Sequence, residues 1–120
     1  MTRYYLYLLM ILSIFISGCW QTDVGRSFYS DGSIKTEATV HNGLLNGPAT
    51  MYYQDGTKSS EAIYSNGLLD GLSVSYYENG NIKASATYKH GLLDGESASW
   101  EEDGTLVESV VFESGKLLVK

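Results

Sequence analysis

Asn66-Gly67-Leu68-Leu69-Asp70-Gly71 is echoed upstream by Asn42-Gly43-Leu44-Leu45-Asn46-Gly47 and, at the same interval downstream, by His90-Gly91-Leu92-Leu93-Asp94-Gly95. Working outward, Asp31-Gly32, Asp55-Gly56, Asn79-Gly80 and Asp103-Gly104 keep that interval without a gap, and Gly115 continues the series of Gly43, Gly67 and Gly91. Eleven of the thirteen glycines therefore occupy repeat positions, which chance does not produce. The units are 31–54, 55–78 and 79–102, with a partial unit at 103–120 and Phe28-Tyr29 as a leading half-unit. Val119 stands where another Gly would fall, and atypical ends are what a stacked array needs for capping.

Asx-Gly dipeptides flanked by alternating side chains are the strongest short signal for two-residue type I′ hairpin turns, because both central residues need positive φ. Turns alternately eleven and thirteen residues apart leave strands of about eight to ten residues. The expected fold is all-β: an elongated, single-layer antiparallel meander with two strands per unit. Two-residue turns at Asn42-Gly43 and Asp55-Gly56 place Gly47 opposite Ala38 on one side and Tyr64 on the other. A missing side chain at Gly47, Gly71 and Gly95 would then leave a slot for a cross-strand ring such as Tyr64, Tyr88 or Phe112.

Period-two alternation sorts the side chains to faces. One face is expected to carry Ile34, Ala38, Val40, Leu45, Met51, Tyr53, Ala62, Tyr64, Tyr77, Ile82, Ala86, Tyr88, Val110 and Phe112, and is the better core candidate. The other carries Lys35, Glu37, Thr39, Asp70, Lys83, Asp94 and Glu96, together with Phe28, Tyr52, Tyr76 and Trp100 in one row. Those four rings recur on every second strand, roughly 10 Å apart and too distant to stack directly. A one-residue bulge near any glycine would exchange the faces downstream.

The composition agrees with a β chain: 120 residues, 43% hydrophobic and 18% charged, with ten Tyr and a single Pro, make one small folded domain. A net charge of −6 with no basic stripe excludes nucleic acid as a partner. The only imidazoles, His41 and His90, fall beside turn glycines at different positions of their units and read as solvated turn residues. Asp31, Asp55 and Asp103 each stand alone before Gly, without the further oxygen ligands of a calcium loop. Glu101 and Glu102 point to opposite faces of a strand and cannot act as a glycosidase pair. No catalytic residue, cofactor or metal site is expected.

At the amino terminus, Met1-Thr2-Arg3 supplies a positive start, Tyr4 to Phe15 is almost wholly apolar, and Ile16-Ser17-Gly18-Cys19 follows at once. The apolar run is short for a span, which needs about 20 residues. Residues 16–19 resemble the lipobox of bacterial lipoproteins, which implies that 1–18 is a signal peptide and that Cys19, the only Cys, is acylated and becomes the first mature residue. Two or three acyl chains suffice for stable anchoring in a membrane. Trp20, where Asp would imply inner-membrane retention, favours the outer membrane. Residues 19–26 would then form a short linker and 27–120 the repeat domain.

The units, for example Tyr88-Lys89-His90-Gly91-Leu92-Leu93-Asp94-Gly95 followed by Trp100 and Asp103-Gly104, resemble MORN repeats of the second variant over residues 27 to 120. Small bacterial proteins of this build are often labelled YwqK-type antitoxins of toxin–antitoxin systems. The resemblance implies a twisted sheet of hairpins and a role in protein contact or membrane-associated scaffolding, with no recognised catalytic residues. The Tyr-Tyr pairs and Asp-Gly turns are also similar to choline- and cell-wall-binding repeats. The expected function is non-covalent recognition of a protein partner at the bacterial envelope, with a cell-wall glycan or a partner toxin as alternatives. Phe28, Tyr52, Tyr76 and Trp100 are the candidate binding row.

Overall fold

A computed structural model describes residues 22–119; Cys19 and the segment 1–18 lie outside the described residues. Nine strands follow one another: β1 (Thr22–Phe28), β2 (Ile34–His41), β3 (Leu44–Tyr52), β4 (Lys58–Ser65), β5 (Leu68–Tyr76), β6 (Ile82–Lys89), β7 (Leu92–Trp100), β8 (Leu106–Glu113) and β9 (Lys116–Val119). They form one open antiparallel sheet in sequence order, as expected of a meander. β1 begins at Thr22, within the stretch expected to be a linker, and pairs with β2 from Thr22↔His41 onward.

All eleven repeat glycines have positive φ, from 77° to 137°, whereas Gly25 does not. The two kinds of hairpin use them differently. At Asn42-Gly43, Asn66-Gly67, His90-Gly91 and Ser114-Gly115 both residues are left-handed, which gives the expected two-residue turn. At Asp31-Gly32, Asp55-Gly56, Asn79-Gly80 and Asp103-Gly104 only the glycine is left-handed. There Gly32 N–H donates to the Tyr29 carbonyl at 3.0 Å and Tyr29 N–H to the Ser33 carbonyl at 2.8 Å, so the loop has three residues and a glycine bulge. The type I′ expectation fails at these four sites because the Asx side chain stabilises another turn. The Asp31 carboxylate accepts from Ser33 N–H at 2.9 Å and Ser33 Oγ at 2.6 Å, and Asp55 holds Thr57 in the same way.

The three-residue loop shifts the pairing by one residue, and a bulge restores it. Tyr52 pairs with Lys58 but Met51 with Ser60, leaving Ser59 as the extra residue. Beyond that point Gly47 faces Tyr64, Gly71 faces Tyr88 and Gly95 faces Phe112, as the sequence implies. Ala38, however, faces Ala49 and not Gly47. Between Ala38↔Ala49 and Val40↔Leu45, β3 advances four residues while β2 advances two, so Thr39 lies across from the bulged Asn46-Gly47-Pro48. A Cβ on Gly47 would come within 3.2 Å of the Thr39 Cβ; on Gly71 and Gly95 it would meet Ile63 and Thr87 at 3.1 Å. The third glycine of each unit is therefore required by its φ and by this β-branched neighbour, not by a cross-strand ring.

The bulges also correct the face assignment. Ile34 pairs with Phe28 and Ile82 with Tyr76, so both isoleucines share the face of the aromatic row. Lys35 and Lys83 occupy the extra positions, and their ammonium groups lie 5.6 Å from the ring centres of Tyr29 and Tyr77. The face expected to be the core is floored by one small residue from most strands: Gly25, Ala38, Ala49, Ala62, Ser73, Ala86 and Ser97, ending at Val110. Val40, Leu45, Tyr64, Tyr88 and Phe112 remain on this face and are half-buried. Among the described residues only Ala98 is buried, because a one-layer sheet leaves both faces open.

Backbone ladders and inter-repeat hydrogen bonds hold the layer together. The hydroxyls of Tyr29, Tyr53 and Tyr77 donate to the carbonyls of Tyr52, Tyr76 and Trp100, 23 residues on, at 2.6 to 2.9 Å. Each bond ties one unit to the next and satisfies a part-buried phenol. Replacing Gly71 by Ala is expected to destabilise the chain by about 1–3 kcal/mol, since the new Cβ meets both a left-handed backbone and Ile63. Urea unfolding followed by circular dichroism reads the loss, and an unchanged midpoint would count against this packing.

Candidate functional site

Phe28, Tyr52, Tyr76 and Trp100 each close an odd-numbered strand just before a three-residue turn, so the repeat places them in one row. The even-numbered strands fill the gaps: Phe28 pairs with Ile34, Tyr52 with Lys58, Tyr76 with Ile82 and Trp100 with Leu106. The row is therefore a ridge of alternating rings and mostly aliphatic side chains. Phe28 and Leu106 are more than half exposed. An open hollow of about 410 Å³ lies against Trp100 and Ile82, bounded by Gly80, Asn81 and Gly104.

Two residues along each strand, the same face carries Arg26, Glu37, Thr50, Glu61, Val74, Ser85, Ala98 and Ser109, paired across β1 to β8. Two further along lie Pro48↔Ile63, Leu72↔Thr87 and Glu96↔Val111. Near the two-residue turns come Leu44, Leu68 and Leu92, each packed over the glycine of the next unit's turn at 3.6 to 3.8 Å from the position of its missing Cβ. Of the fifteen large exposed hydrophobics among the described residues, eleven belong to this ring face: Val24, Phe28, Ile34, Leu44, Ile63, Leu68, Leu72, Ile82, Leu92, Leu106 and Val111. The small-residue face has no comparable set. Its hollows, about 290 and 120 Å³, are lined mainly by Ser and Ala.

Two pairs of opposite charge on the ring face are closed within the chain. Arg26 Nε donates to Glu37 at 2.9 Å, and Lys58 Nζ donates to Glu61 Oε1 at 2.5 Å. The other Glu61 oxygen accepts from Tyr76 O–H at 2.7 Å, and Ser109 bonds Glu96 at 2.9 Å. The hydrogen bonds from Lys58 and Tyr76 hold the Glu61 carboxyl below its ordinary range, while the bond to Glu61 pushes the Tyr76 phenol up. At the rim, hydrogen bonds from the Ser33 side chain, from Gln54 and from the Ser33 backbone hold the Asp31 carboxyl down at about 2.

The structure keeps other candidate groups apart. His41 ends β2 opposite Leu44, and His90 is a left-handed turn residue whose N–H donates to Asp70 at 3.2 Å. Among the described residues no three His, Cys, Asp or Glu side chains gather in a metal-binding group. Sequence reasoning missed the aliphatic half of the ridge, because the bulges at Lys35, Lys83 and Val107 that bring Ile34, Ile82 and Leu106 round leave no mark in a period-two pattern. It also missed the tyrosine-to-carbonyl ladder, whose signal was the recurrence of Tyr29, Tyr53 and Tyr77 once in each unit.

Acid should weaken the fold. Carboxyls held low when folded stabilise the chain fully above their unfolded values near 4, and lose that contribution as the pH falls through their folded values. Thermal melting between pH 5 and 2 is expected to show this decline for Glu61, Asp31, Asp55 and Asp103. Glu61→Gln should make it shallower and, in an ultraviolet titration, bring the Tyr76 ionisation back toward the ordinary tyrosine range. An unmoved phenol would place the Glu61–Tyr76 bond in doubt.

No curated protein matches this chain. Two stretches, residues 45–66 and 69–90, match the family model described as MORN repeat variant, and each begins in the Leu-Asx-Gly segment of one unit and ends at the two-residue turn within the next. Over these two stretches the chain is similar to MORN repeats of the variant type.

Proposed function

We propose that the chain is a non-catalytic, lipid-anchored module that holds a protein partner at the bacterial cell envelope, with the ring face as its binding surface. The observation that carries this reading is the gathering of eleven exposed apolar side chains on one face whose central charges are already paired. Contiguous apolar surface of this kind marks interaction sites, and rings such as Tyr and Trp dominate interface energetics. MORN repeats are generally modules of protein and membrane interaction, which agrees.

Anchoring rests on Ile16-Ser17-Gly18-Cys19 after the apolar run. Only Trp20 and Gln21 separate Cys19 from the start of β1, so a lipid on Cys19 would keep the sheet's first edge within about 10 Å of the membrane surface. A neutraliser of an exported toxin is one form that such a protein partner can take.

The test is metabolic labelling with an alkyne fatty acid, fractionation and in-cell crosslinking. Wild-type chain should carry label and sediment with membranes, and Cys19→Ala should lose both. Combined Tyr52→Ala, Tyr76→Ala and Trp100→Ala should remove protein crosslinks while leaving label and sedimentation intact. Membrane-bound, unlabelled Cys19→Ala would reject the anchor. Protection of the rings from a fluorescence quencher by cell-wall fragments, with no protein crosslink, would assign the face to glycans.

A further inference from the structure

We infer that the partner of the ring face is a second copy of this chain, packed sheet on sheet so that the two ring faces form one shared core. The inference rests on the reading of that face as a protein-binding surface and names its occupant.

Sheets reach stability by burying an apolar face against a second layer. The described residues supply no such layer: they contain nine strands in a single sheet, no helix, and one buried residue, Ala98. The missing layer must be broad and follow the twist of the sheet. Eight interstrand steps of about 4.8 Å and strands of about eight residues give a face of roughly 38 by 26 Å, so two such faces in contact cover roughly 2,000 Å² in total. That lies within the range of a stable protein interface, about 1,600 Å² being standard. Packed sheets stand about 10 Å apart, a gap that the side chains of two such faces fill by interdigitating.

The paired charges agree with an apolar occupant. Arg26 with Glu37 and Lys58 with Glu61 are neutralised within the chain and Glu96 keeps a hydroxyl partner in Ser109, so the face asks its partner chiefly for apolar surface. A net charge of −6 and the lack of a basic surplus on this face give anionic head groups nothing to hold. An identical face meets the requirement: Ile63, Leu72 and Val74 lie midway along the strands, with the Tyr76, Trp100 and Leu106 ridge on one side. A two-fold rotation sets the ridge of each copy against the middle of the other.

The experiment uses full-length lipidated protein extracted in a mild detergent, with protein mass measured by light scattering over a dilution series. Wild type should have twice the chain mass and dissociate on dilution. Leu72→Lys, at a position 53% exposed in the single sheet, should keep the β circular dichroism spectrum and weaken the dimer by at least about 30-fold. Met51→Lys, equally exposed on the opposite face, should leave the dimer unchanged. Single-chain mass for wild type, or a dimer that Leu72→Lys leaves intact, overturns the inference. If wild type is single while the ring residues still crosslink to another protein in cells, the second copy fails but the protein-binding reading stands. If it is single and no protein crosslinks appear, both fail.

Discussion

The structure depends on left-handed backbone recurring at a fixed interval along the chain. Each reversal needs a residue with positive φ, and in L-amino acids only glycine takes that conformation without a steric penalty. Among the described residues, non-glycine residues share it only at Asn42, Asn66, His90 and Ser114, where a two-residue turn requires two left-handed positions in a row. With the reversals fixed, each strand can meet only its neighbours in sequence, and the open meander follows. The third glycine of each unit adds a constraint that no turn imposes. It lets β3, β5 and β7 carry two extra residues past Thr39, Ile63 and Thr87 and so re-aims the rest of each strand.

Much of this was legible before any coordinates. The all-β meander and the pairings of Gly47 with Tyr64 and Gly71 with Tyr88 follow from spacing alone. The turn type at Asp31-Gly32 was not, because an Asp before Gly suits two geometries and its side-chain bond to Ser33 decides between them. The compensating bulge at Ser59 was hidden for a related reason: two opposite one-residue shifts cancel in the pairing of everything beyond them. The close approach of Thr39 to Gly47 had one faint signal. A β-branched residue stands eight positions before each third glycine, at Thr39, Ile63 and Thr87.

The candidate site was half visible. The four rings could be placed in one row because each recurs once per unit, but their neighbours could not, since a bulge moves Ile34 and Ile82 across the sheet without altering the sequence pattern. The consequence is functional. Rings standing alone roughly 10 Å apart offer isolated contacts, whereas rings alternating with Ile34, Ile82 and Leu106 form a largely apolar ridge that only Lys58 interrupts. The expected core face keeps Val40, Leu45, Tyr64, Tyr88 and Phe112 half-buried beside its floor of Ala and Ser, so the surface with most exposed apolar side chains is the one first read as the more polar.

The most direct test of this arrangement is a set of cross-strand nuclear Overhauser contacts on uniformly labelled protein. Hα and amide contacts should run in order along Ala38, Ala49, Ala62, Ser73, Ala86 and Ser97, each residue seeing only the one before and after it. Contacts between Ala38 and Gly47, or between strands that are not neighbours in sequence, would contradict the glycine-set register from which both faces are built.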